Sequence, residues 1–269
     1  MGCCTTAASR TGQRTNSTRR ADATTSPVGR SVRDHSLYSG HMIDDGMPQP
    51  SNLPTFSEWV GHIFDRPVSN PEWYWASDAD TAEPPAQTSV AYLTQLFTDP
   101  EPILAPYTDA QLNQGLWFLA SNACSNYMFT FLEPEVAWPA RQAGIRAIIN
   151  LFAKLFANRC SPYLSHLDEA GANPLNSVCY MWWDLFPTWG HPESPTEALV
   201  DAELLAVMKD VLALAALACQ EGALHGLGHW HLHYPAEVEE TIDVFLRRQP
   251  RLDPRLRQYA LSARRGCVL

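Results

Sequence analysis

Helix-start signals divide most of this chain into short helical units. Thr55-Phe56-Ser57-Glu58 and Thr108-Asp109-Ala110-Gln111 are capping boxes, in which the first and fourth side chains each accept from the other residue's backbone N–H. Proline stands at first helical positions in Asn173-Pro174, Ser194-Pro195, Tyr234-Pro235 and Asp253-Pro254, where a missing N–H leaves no bond unmade. Between these starts the apolar residues recur with a spacing near 3.6. Ile145, Ile148, Leu151, Phe152, Leu155 and Phe156 form one stripe, and Leu204, Leu205, Met208, Val211 and Leu212 another. Val238, Ile242, Phe245 and Leu246 form a third, followed by Leu256, Tyr259, Ala260 and Ala263. No segment alternates with period two. The expectation is an all-α domain over 55–269, with eight or nine helices packed as antiparallel pairs.

The 269 residues are 45% hydrophobic, enough for a packed core. The pattern stops upstream: residues 1–54, rich in Ser, Thr and Arg, are predicted to form a disordered arm. This arm begins Met1-Gly2-Cys3-Cys4-Thr5-Thr6, which fits N-myristoylation at Gly2 with palmitoylation at Cys3 and Cys4. Met42 and Met47 offer alternative starts that would remove it. The polar residues of 110–132, among them Gln111, Asn113, Gln114, Asn122 and Asn126, make that stretch a buried helix and not a membrane span.

Charge is distributed in three zones. Residues 1–34 carry +4 and residues 247–265 carry +6, so a body near −20 accounts for the net −10. An acidic body repels phosphate backbones, which speaks against nucleic-acid binding. The arginine-rich end reads as a solvated helix face or a segment docked on the acidic body. Seven dispersed cysteines with no CxxC pair and no secretory leader are expected to be free thiols in the reducing cytoplasm.

The C-terminal third, with Ala223-Leu224-His225-Gly226-Leu227-Gly228 in one helix, a Tyr234-Pro235 turn and an amphipathic helix after it, resembles a HEAT-like helical-repeat unit. The remainder is similar to bacterial all-helical proteins of no particular family. The resemblance implies antiparallel helix pairs and protein binding, and no catalytic residues. Gly222 and Gly226 share one helix face; each costs about 1 kcal/mol relative to alanine, a cost that a close helix crossing would offset.

Two clusters bear on chemistry. Glu221, His225 and His229 recur every four residues and form one line on a helix, a candidate ligand set for a divalent transition metal such as zinc. The zincin motif requires glutamate directly after its first histidine, and Gly226 stands there instead. Histidines near a helix C-terminus also complement its carbonyl end without any metal. The second cluster is the polar loop from Cys160 with the aromatic helix it enters. His166, Asp168, Asn176, Tyr180, Trp183 and Asp184 are the candidate partner or pocket surface, Asn176, Tyr180 and Trp183 falling opposite that helix's apolar stripe. A competing reading uses Asp168, Asn173 and Asn176 as caps and turn formers.

No catalytic elbow, phosphate loop or dinucleotide fingerprint is present. The leading expectation is therefore a non-enzymatic scaffold or protein-interaction domain with a protein partner and no cofactor. The alternative is a metal-dependent, hydrolase-like enzyme built on Glu221, His225 and His229. A further alternative is a lipid-anchored protein at a eukaryotic membrane.

Overall fold

A computed structural model of the chain describes residues 53–77 and 81–268. The arm expected over 1–54, apart from its last two residues, and the acylation motif at Gly2, Cys3 and Cys4 lie outside the described residues. The regular structure that is described is helical throughout: α1 (Phe56–Phe64), α2 (Ala86–Thr98), α3 (Pro100–Leu104), α4 (Asp109–Ala120), α5 (Trp138–Asn150), α6 (Ala157–Arg159), α7 (Leu175–Leu185), α8 (Pro195–Leu212), α9 (Leu217–Trp230), α10 (Pro235–Arg248) and α11 (Pro254–Ala263). A π-helical stretch, Leu151–Phe156, joins α5 to α6 in one continuous rod. Ten α-helical rods, besides the short 3-10 turns Trp73–Trp75, Tyr127–Phe131 and Ser165–Leu167, thus stand among the described residues, against eight or nine helices expected. Helix α3 is too short to display a 3.6-residue period, so periodicity alone does not reveal it.

The punctuation read from sequence sits where the helices start. Thr55 and Glu58 close a capping box on α1, and Thr108 and Gln111 close another on α4. Pro195, Pro235 and Pro254 occupy first-turn positions of α8, α10 and α11. Helix α7 begins one residue beyond Pro174, and the Asn173 side chain accepts from the Leu175 N–H at 2.9 Å. Asn173 therefore does act as a turn former.

Helix α9 is the axis of the domain. It packs against α7, α8, α10 and α11, and every residue from Ala218 to Gly228 is buried. A helix enclosed on all sides has no solvated face for its polar residues, so Glu221 and His225 lie in the interior. Helix α7 is its closest neighbour. A Cβ at Gly222 would meet the Cys179 carbonyl oxygen at 2.4 Å, and one at Gly226 would meet the Trp183 Cβ at 2.5 Å. The two glycines are the surface across which α7 and α9 touch, as their shared face predicted.

The same crossing corrects the expected exposure of α7. Asn176, Tyr180 and Trp183 are all buried. Trp183 lies flat on Phe152 of the π-helical stretch at a centroid distance of 5.7 Å, while α4 covers another side of the helix. An amphipathic stripe implies one buried face for α7, and the fold gives it several. At the other end of the chain, α11 docks through Leu256, Tyr259, Ala260 and Ala263, with Arg264 paired to Asp243 and Arg255 to Glu169. Among the described residues no helix is long and apolar enough to cross a membrane.

Candidate metal centre

Three donor atoms converge where α7 and α9 approach the surface. The side chains of Asp184, His225 and His229 each offer a ligand atom, and all three atoms lie within 4.8 Å of one another. His225 Nε2 is 3.3 Å from His229 Nε2, and His229 Nε2 is 3.4 Å from Asp184 Oδ1. Tetrahedral bonds of about 2.0–2.1 Å place neighbouring ligand atoms about 3.3–3.4 Å apart, so two edges of the triangle already have the spacing of a zinc-class site. Two imidazoles and a carboxylate on one side of an open position also form a donor set used by other first-row transition metals.

This arrangement overturns the expectation of no cofactor: a plausible metal-coordinating triad is present. It also redistributes the proposed ligands. His225 and His229 come together as their spacing on α9 requires, but Glu221 does not join them. Residues i and i+8 are separated by about 12 Å along a helix axis, too far for both to reach one ion with His225 between them. The carboxylate comes instead from Asp184, on the helix that crosses α9.

Glu221 has other partners. It is fully buried, and its two oxygens accept from the backbone N–H groups of Ser165 (2.8 Å) and His166 (3.0 Å). His166 Nδ1 lies 2.6 Å from the same carboxylate. The loop between α6 and α7 is thereby fastened to the central helix. Asn176 ties the same loop to α7, accepting from the Ser161 N–H at 2.9 Å and donating to the Ser161 carbonyl. Asp168 stays at the surface in a left-handed backbone conformation, φ 52°, and takes no part in the triad.

A hydroxyl pair stands behind His225. The Tyr259 hydroxyl, from α11, is 2.8 Å from His225 Nδ1 and 3.0 Å from the Tyr180 hydroxyl. The Tyr259 ring stacks on His166 at 4.2 Å. Burial raises both phenols above the ordinary tyrosine range, so both are protonated at neutral pH. Burial, reinforced by the nearby His229 and His166 rings, lowers the His225 imidazole to about 3. It is consequently neutral, the state in which imidazole carries a lone pair for a metal.

The outer side is more open. Asp184 and His229 side chains keep about a quarter of their surface in solvent. Trp189 stacks on the His229 ring at 5.8 Å and is itself half exposed. Its loop is held by Asp201, which accepts from the His191 N–H at 2.6 Å and the Tyr234 hydroxyl at 2.7 Å. Neither Trp189 nor Tyr259 was singled out from sequence as a site residue. In sequence Tyr259 belongs to an apolar stripe, and only the docking of α11 turns its hydroxyl towards His225. No protein-family model matches the chain, and no curated protein or solved structure shows significant similarity to it.

Proposed function

We propose that this protein is a metal-dependent enzyme of hydrolase type, with Asp184, His225 and His229 as the protein ligands of a zinc-class ion. The observation that carries the reading is the number and placement of the donors. Structural zinc sites are closed by four protein ligands, whereas catalytic sites use three and leave a position for water or substrate. Here three donors gather within 4.8 Å, two of their three separations have tetrahedral spacing, and the two outer donors border solvent. A metal in such a site lowers the pKa of a bound water to about 7 and supplies a nucleophile at neutral pH. A purely structural role for the histidines explains why they lie near the end of α9. It does not explain why a carboxylate from a second helix joins them.

The test is metal content measured on protein purified without chelators and then equilibrated with zinc. The expected result is one bound metal per chain, lost in Asp184→Ala and His229→Ala, with hydrolysis of an ester, amide or phosphoester panel abolished by chelation and restored by metal. Wild-type protein that retains no zinc, manganese or iron after dialysis would refute the metal site. Stoichiometric metal without hydrolysis of any member of the panel would refute the enzymatic part.

A further inference from the structure

The interior side of the triad shows how one ligand is oriented, an inference that rests on the metal reading above. When His225 binds a metal through Nε2, its single proton must reside on Nδ1. That nitrogen faces the Tyr259 oxygen at 2.8 Å. The Tyr259 hydroxyl has one proton of its own, and the Tyr180 oxygen lies 3.0 Å away to accept it. The hydrogen bonds then run in one direction: His225 Nδ1–H donates to Tyr259, and Tyr259 O–H donates to Tyr180. Reversing the first bond would place the His225 proton on Nε2 and block the metal.

We propose that Tyr259 is a positioning residue for this centre, holding His225 in the Nδ1–H tautomer and aiming Nε2 at the metal. Its own placement is determined by the fold. The ring is buried, stacked face to face on His166, and His166 is pinned to the fully buried Glu221. The carboxylate one turn before His225 thus contributes to the centre from behind, by fixing the ring that the tyrosine rests on. Partners of this kind orient metal-bound histidines, and losing one typically weakens metal binding about 10–100-fold.

The experiment compares zinc affinity, by competition with a chromogenic chelator, in wild type, Tyr259→Phe and Tyr180→Phe, with the visible spectrum of each cobalt-loaded protein. Tyr259→Phe keeps the stacked ring and removes only the hydroxyl. The expected outcome is a 10–100-fold loss of zinc affinity with an altered cobalt spectrum. Tyr180→Phe leaves the His225–Tyr259 bond in place and removes only the acceptor of the Tyr259 proton, so it should show a smaller loss than Tyr259→Phe. Equal losses in the two variants would assign the effect to packing and overturn the proposal, as would an unchanged Tyr259→Phe. Should Tyr259→Phe fail to fold, nitrogen chemical shifts of zinc-loaded wild type decide the matter: His225 carrying its proton on Nε2 refutes the assignment. Wild type that binds no zinc removes the metal reading itself, a failure distinct from all of these.

Discussion

Replacing Gly222 by alanine tests whether the α7–α9 crossing builds the centre. The added Cβ would lie 2.4 Å from the Cys179 carbonyl oxygen and 3.3 Å from its carbon. Ordinary contact begins near 3.4 Å, so the helices must separate by about 1 Å, and both partners are backbone that no rotamer change can relieve. Alanine gains up to about 1 kcal/mol in helix propensity. Overpacking costs about 1–3 kcal/mol, so after the full propensity gain a net loss of up to about 2 kcal/mol is expected. Gly61 on α1 provides the control, because a Cβ there meets nothing within 4 Å. Gly61→Ala should therefore stabilise the fold by up to about 1 kcal/mol.

The same movement reaches the proposed metal ligands. Asp184 is on α7 and His229 is on α9, so a 1 Å retreat would stretch their 3.4 Å separation towards about 4.4 Å, beyond a tetrahedral edge. Urea unfolding of the metal-free proteins and zinc competition on the folded ones read the two effects separately. If Gly222→Ala proves as stabilising as Gly61→Ala and binds zinc like wild type, the crossing does not set the geometry of the triad.

Glu221→Gln should destabilise the fold by about 3 kcal/mol or more, because an amide cannot accept from all the donors now facing the carboxylate. At saturating zinc it should still bind one metal, whereas a ligand role would abolish binding. Glu203 joins α8 to α5, and its hydrogen bond and charge pairing with Arg146, aided by Gln142, hold its carboxyl below the ordinary glutamate value. A depressed folded-state pKa stabilises above the unfolded value of 4.5 and loses that contribution as pH falls through the folded value. The advantage of wild type over Glu203→Gln, small because water screens the pair, should be present well above pH 4.5 and shrink as the pH falls below it in urea titrations. Removal of residues 255–269 should cost roughly 5 kcal/mol, since it strips Leu256, Tyr259 and two alanines from the face of α9; unchanged thermal unfolding would show α11 to be a loose tail.

Local signals carried much of the architecture. Thr55, Thr108 and the first-turn prolines announced helix starts because caps depend on residues a few positions apart. Gly222 and Gly226 announced a crossing because glycine inside a helix is costly unless something occupies the missing Cβ. The features that local sequence does not reveal all depend on distant chain. Trp183 and Tyr180 looked surplus because an amphipathic helix was allowed only one buried face, and α7 is covered by α4, by α9 and by the π-helical stretch. Asp184 stood among the candidate pocket residues, yet nothing in the order of residues says that it would meet histidines 41 and 45 positions later. Tyr259 carried no chemical signal, since a tyrosine in an apolar stripe is ordinary core material.

The line of Glu221, His225 and His229 illustrates why equal spacing does not imply equal roles. Helix α9 runs outward from the core, so side chains one turn apart enter different surroundings. Glu221 is fully buried, His225 is 3% exposed and the His229 side chain 28%. A carboxylate at the deepest position must be satisfied by donors close at hand, and the Ser165 and His166 amides supply them. The imidazole in the middle can point one nitrogen inward to a hydroxyl and the other outward to a ligand. The outermost imidazole lies beside a carboxylate that water still reaches. The catalytic metal centre proposed above uses both halves of that gradient: a dry interior that fixes the orientation of its donors and a wet edge that admits substrate.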